Sequence, residues 1–299
     1  MSERHHYVSQ FHLKQFVDPL SIETRDPWLW IGDLQTGALK QRAPKNIGWE
    51  RDAFAGPAGL ADRSASLERY LEREVETPAA KVLASLSFPV QVIPSELGRY
   101  VAWAAARSIV MRSRYQAWLA NTLVPLDVPG DEAISPAPER LHSMEHPQQG
   151  IDNQVPSSQI NHRLLGGWNL LIRGADFLEL VHLQAATFQK QFFPYLSWIM
   201  LLAPPNCFFI IGDRPVVWEV NGATDLRPAY LDHPAVHLFA PLTRSIALFA
   251  YHAKGAKPAF VNYEYVNTTI AVASVDWIAG PSKAVVASAL ETRTAAGAS

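Results

Sequence analysis

The residues best suited to chemistry crowd the start of the chain, in His5-His6-Tyr7-Val8-Ser9-Gln10-Phe11-His12-Leu13-Lys14-Gln15-Phe16. Imidazoles exchange protons near neutral pH and phenols relay them. Adjacent histidines point in different directions on any regular element, so at most one of His5 and His6 faces a given site. On a helix His5 and His12 would share a face, and His6 would be set opposite Gln10. The apolar spacing of Phe11, Leu13 and Phe16 looks built for docking, so this stretch reads as a short helix or a docked arm.

Three further segments carry chemical groups. Gly212-Asp213-Arg214-Pro215 lies between two apolar runs. An aspartate at the end of a buried strand, followed by proline, is well placed at a sheet edge where sites collect, but Asp and Pro are also plain turn formers. In Leu67 to Glu76, Glu68 shares a helix face with Glu72, and Glu72 with Glu76. Paired carboxylates can bind a metal, exchange protons or accept a guanidinium in bidentate fashion. Glu72 and Glu74 read as a solvated face with Arg69 and Arg73, whereas Glu68 and Glu76 lie closer to the apolar side. From Leu97 to Leu126 there is no acid, while Arg99, Arg107, Arg112 and Arg114 contribute +4, with Tyr100, Trp103 and Tyr115 interleaved. Such a surface tracks phosphates and stacks bases. The acidic segment that follows can equally absorb those arginines internally. His142 with His146, and His233 with His237, have helical ligand spacing but no HExxH order or cysteine partner, and are set aside. No Walker A, GxGxxG or GxSxG motif occurs.

The elements that must position these groups follow from periodicity. Trp28 to Leu34 and Ala38 to Gln41 flank Gln35-Thr36-Gly37 and predict a hairpin. Leu67, Leu71, Val75 and Leu83 predict a helix that Pro78 kinks or splits. A second helix is expected from Pro94-Ser95-Glu96, with Ser95 as cap, to about Asn121. Residues 124–158 are Pro-rich and acidic, and read as an insertion, lid or linker. A helix from Ala175 to Phe193 precedes strands at Leu196–Leu202, Cys207–Ile211, Val216–Val220, Val236–Phe239 and Ile246–Tyr251. A last helix begins near Tyr263, before a closing strand at Val275–Ile278, and 295–299 reads as a frayed tail. The expectation is one α+β domain over 1–299, with a helical N-terminal half packed on a mainly antiparallel sheet from the C-terminal half.

Composition bounds the function. Charged residues are 18% and apolar residues 48% of 299, which argues for a folded chain with a sizeable core. The net charge of -2 gives no global attraction to polyanions or to anionic membranes. It conceals the +4 stretch, however, so a local basic patch remains open as a polyanion site. One cysteine, Cys207, forms no internal disulfide and excludes four-cysteine zinc modules. No apolar run is long enough to span a membrane, and the N-terminus lacks the apolar core of a secretory signal, so a cytoplasmic location is expected.

Taken in order, HHYVSQFHLKQF, SLERYLEREVETPAAKVL, RSIVMR, FFIIGDRPVV, Pro241-Leu242-Thr243 and Asn267 resemble the domain of unknown function 4238 family over about residues 5 to 280. By that resemblance the positions carried over are His5, His6, Tyr7, Gln10, Glu68, Glu76, Arg107, Asp213 with Pro215, and Asn267. Ser9 departs from the family, which usually has proline there. Fungal proteins of a similar kind include arginine-containing cyclodipeptide synthases, which draw aminoacyl groups from charged tRNA. The resemblance therefore implies a transferase without a cofactor. In it His6, Tyr7, Glu68 and Asp213 are catalytic, and His5, Gln10, Glu76 and Asn267 bind substrate. Arg107, Arg112 and Arg114 hold the tRNA or another polyanion. The acids Glu68, Glu76 and Asp213 would clamp a guanidinium. One alternative is a metal-dependent, nuclease-like hydrolase in which His6, Glu68, Glu76 and Asp213 hold divalent cations. A second is a non-catalytic ligand-binding protein. The transferase expectation is that His6, Glu68 and Asp213 converge on one pocket.

Overall fold

A computed structural model describes residues 4–51, 68–85, 94–108, 111, 175–224, 231–255, 258 and 261–297. The acidic segment 124–158, Arg112 and Arg114, most of the chain expected to continue the second helix, and residues 298–299 lie outside the described residues.

At the centre is a four-stranded antiparallel sheet in the order β5 (Leu196–Leu202), β9 (Ile246–His252), β8 (Val236–Pro241), β7 (Val217–Val220). Alternate residues of a strand face opposite sides. Here both sides are apolar. Trp218, Leu238, Leu248 and Ala250 enter one core with α2 (Thr77–Ser85), α3 (Ser95–Arg107) and α4 (Ala175–Thr187). Val217, Phe239, Ala247 and Phe249 enter a second core, against α5 (Tyr263–Ala273) and the N-terminal residues Val8, Leu13 and Phe16. That second core is closed by another antiparallel sheet, ordered β3 (Leu39–Arg42), β2 (Leu29–Asp33), β10 (Trp277–Gly280), β6 (Ile211–Gly212). The helix α6 (Lys283–Ala295) packs Val286 and Leu290 on β2, at a place where Gly32 has no side chain to obstruct them. A two-stranded ribbon pairs β1 (Arg4–His6) with β4 (Trp49–Arg51), and α1 (Gln10–Leu13) follows β1.

The mixed α+β class holds, but the expected division into a helical first half and a sheet-forming second half does not. Strands occur in both halves, and β10, from the last quarter of the chain, lies between β2 and β6. The hairpin of β2 and β3 forms as expected. Asp33 accepts hydrogen bonds from the N–H groups of Gln35 and Thr36, and Gly37 takes the left-handed φ of 68° that the turn requires. The strand expected from Cys207 shrinks to Ile211–Gly212. Phe209 N–H donates to the Arg244 carbonyl and Ile210 N–H to Asn267 Oδ1, so a loop and a helix side chain take the place of a ladder. The second helix is not continuous to Asn121 either: it leaves helical geometry at Ser108, where ψ is 150°. Ser95 is its first residue and not its cap.

Candidate functional site

Ser9 occupies the position before α1, where a serine hydroxyl ordinarily caps the helix. This one does not cap. Its Oγ instead donates to Glu76 Oε1 at 2.5 Å, beside the Tyr100 hydroxyl. Tyr100 lies 2.8 Å from His12 Nδ1, and His12 Nε2 lies 2.7 Å from the Pro241 carbonyl oxygen. A carbonyl only accepts, so Nε2 carries the ring proton and Nδ1 accepts from the Tyr100 O–H. Burial pushes the His12 imidazole down to about 4, which keeps it neutral and consistent with both contacts. Burial, with the Glu76 charge second, pushes the Tyr100 phenol well above its ordinary value.

At its other end the chain of contacts reaches Arg107, the last residue of α3. Arg107 Nη1 lies 3.5 Å from Glu76 Oε1, and Nη2 donates to Glu68 Oε1 at 2.8 Å. Both glutamates reach one guanidinium because the helix between them is irregular. Residues Glu72–Glu76 form a π-turn just before Pro78, which has no N–H to offer the regular ladder. In an unbroken α-helix residues eight apart are turned by about 80°. One inserted residue makes them behave as if seven apart, within about 20°.

Beside this cluster sits a cavity of about 10 Å³, room for about one water, lined among others by Tyr7, Ser9, Glu76, Tyr100, Arg107 and Pro215. Tyr7 Oη accepts from Trp277 Nε1 at 3.0 Å, and burial pushes its phenol up to about 12. Tyr7, Ser9, Glu68, Glu76, Tyr100 and Arg107 are therefore the residues that the fold assembles.

Several expected site residues lie elsewhere or are already engaged. Arg107, expected to face a polyanion, is 6% exposed and directed inward onto the two carboxylates. Glu68 and Glu76 in turn hold the protein's own guanidinium, in the geometry expected of a substrate clamp. The Asp213 carboxylate is fully buried and accepts from the N–H groups of Val275, Asp276 and Trp277. Burial raises its pKa, and those N–H bonds offset only part of the rise. His6 lies on β1 opposite Trp49, with its Nε2 3.2 Å from Gln10 Nε2, an amide nitrogen that only donates. His5 is buried in the same ribbon. Neither the cavity beside Tyr7 and Ser9 nor a larger one between α5 and α6 is lined by His6, Glu68 and Asp213 together, and among the described residues no set of three His, Cys, Asp or Glu side chains is arranged to hold a metal ion. Asn267 lines that larger cavity, of about 460 Å³. Its amide accepts from Ile210 N–H at 3.0 Å and donates to the Phe208 carbonyl at 2.8 Å. Trp103 and Tyr100, read as possible stacking surfaces, are core residues.

Ser9 and His12 were given no role from the sequence, and Tyr100 only that of a stacking surface. One signal was present: His12 stands between Phe11 and Leu13 in an arm built to dock, so its ring had to be buried and satisfied. No helix among the described residues is long and apolar enough to cross a membrane. No curated protein and no solved structure matches the chain. A family match covers residues 4–102, which supply every member of the cluster except Arg107 and leave the later motifs, from Gly212-Asp213 to Asn267, outside it. Residues 4–102, about a third of the chain, thus match the family DUF4238, described as a protein of unknown function.

Proposed function

We propose that this protein is a group-transfer enzyme that takes aminoacyl groups from charged tRNA and joins them as an arginine-containing cyclodipeptide. The observation that carries the reading is the 2.5 Å contact of Ser9 Oγ with Glu76 Oε1, at the wall of a cavity shared with Tyr7 and Arg107. Aminoacyl transfer needs an acceptor for the proton of the attacking amine and a donor for the oxyanion that develops on the ester. Glu76, relayed through Ser9, supplies the first. The Tyr7 phenol, which keeps its proton through neutral pH, supplies the second. The choice of arginine and of tRNA rests on the resemblance of the opening motif. Glu68 and Glu76 are not assigned to a substrate guanidinium, because Arg107 occupies them.

The test is direct. The purified chain, incubated with a full set of charged tRNAs, is expected to yield a cyclic dipeptide containing arginine, detected by mass spectrometry, in the presence of a chelator. Glu76→Gln is expected to lower the rate by about 100-fold, the scale of a lost general base. No cyclic product from the folded wild-type chain sinks the reading. Loss of activity with chelator alone favours the metal-dependent hydrolase instead.

A further inference from the structure

A second set of ionisable groups lies on the central sheet and plays no part in the site above. Glu219 on β7 is 3% exposed and stands directly opposite His237 on β8. Its Oε1 is 3.1 Å from His237 Nδ1 and accepts the Tyr265 O–H, from α5, at 2.5 Å. A carboxylate only accepts, so Nδ1 of His237 carries an N–H, and in the neutral ring the lone pair is then on Nε2. This is the minor tautomer of free imidazole, imposed by the neighbour strand. The ring is fixed on its apolar side by Phe249 and Phe239, with centroids 5.5 Å and 6.4 Å away. Its side chain is 24% exposed, and Tyr265 beside it is 39% exposed. Tyr251 stands opposite His237 on β9, so the row continues across the sheet. The pairing of His237 with His233 suggested by spacing is not what orients the ring; the partner comes from the adjacent strand.

A buried carboxylate that holds one imidazole nitrogen while the other faces out is the arrangement by which a histidine becomes a directed base. We propose that His237 is a catalytic base, positioned by Glu219 and Tyr265, for attack of a hydroxyl or amine nucleophile on a small activated ester. In that step the nucleophile's proton passes to Nε2 as its oxygen or nitrogen bonds to the ester carbonyl carbon. The ester C–O bond then breaks, and the leaving oxygen takes the proton from Nε2. Glu219 balances the charge that the ring carries in between. Tyr265 holds the free rotation of the carboxylate in check, and burial with the Glu219 bond keeps its phenol protonated. This proposal does not depend on the transferase reading.

Two measurements on the full chain test it. Long-range proton–nitrogen correlation NMR of the wild-type protein at neutral pH is expected to show His237 protonated on Nδ1 and bare on Nε2. Hydrolysis of p-nitrophenyl acetate is expected to fall about tenfold in His237→Gln and several-fold in Glu219→Gln, with KM little changed. A His237 ring protonated on Nε2, or a folded His237→Gln variant as active as wild type, overturns the proposal. If that variant does not fold, the wild-type tautomer and the rate of Glu219→Gln decide.

Discussion

His12 is a titratable ring with no contact to solvent, held neutral between a phenol and a carbonyl. Its folded pKa of about 4 lies below the ordinary 6.5, so an unfolded chain binds the proton first as pH falls. The stability it contributes is complete above about pH 6.5 and is lost as pH falls toward 4, up to about 3 kcal/mol. Urea unfolding from pH 7.5 to 4.5 is expected to show this loss, and His12→Gln to flatten the pH dependence. An unchanged slope in that variant would place the acid sensitivity elsewhere. The opening motif drew attention to His5 and His6, whereas the ring in the buried chain of contacts is His12. The reason is physical: Ser9 meets Glu76 across 67 residues of chain, and Tyr100 meets His12 across 88. No local spacing encodes such contacts.

At the scale of elements, the π-turn at Glu72–Glu76 sets the phase of two carboxylates relative to one arginine. Pro78→Ala, which returns an N–H to the ladder and relieves the clash behind the π-turn, should restore a regular helix and turn Glu68 away from Glu76 by about one residue's rotation, about 100°. Arg107 would then keep one carboxylate, and a buried charge that loses a partner is costly, on the order of 3 kcal/mol. A chemical-denaturation midpoint equal to wild type would show that the irregular turn has no such role. The helix was legible from Leu67, Leu71, Val75 and Leu83, and Pro78 marked the disturbance, but hydrophobic spacing does not reveal a single inserted residue. The C-terminal helix Lys283–Ala295 was not expected at all. It opens on Ser282, whose Oγ accepts from Val285 N–H, yet its alanine-rich run has no strong apolar stripe to announce it.

For the molecule as a whole, Gly212-Asp213-Arg214-Pro215 is the passage from one sheet to the other, since β6 and β7 lie on either side of it. Asp213 anchors the start of β10 through three backbone N–H groups, and a Cβ at Gly212 would meet Ser274 Oγ at 1.9 Å. Asp213→Ala removes the acceptor of all three N–H groups, that of Trp277 being buried, and is expected to lower stability by about 3 kcal/mol. Differential scanning calorimetry measures this, and a wild-type melting temperature would contradict it. Most second-half strands were legible from their apolar runs, which are apolar on both faces because both faces are buried. The interleaving of the ends was not legible, since strands as short as Arg4–His6, Trp49–Arg51 and Ile211–Gly212 carry too few residues to show a period.

The placement of β10 has a consequence in time. During synthesis β2 emerges early and must wait for residues 277–280 before its inner edge is paired. Tyr7 likewise lacks its indole partner until Trp277 has been made, 270 residues later. Contacts of such sequence separation form late and leave strand edges exposed meanwhile. A ribosome-bound chain short of residue 277 would therefore carry the family-matched segment but lack the Trp277 side of its candidate site, so any activity there begins only after residue 277 has been made.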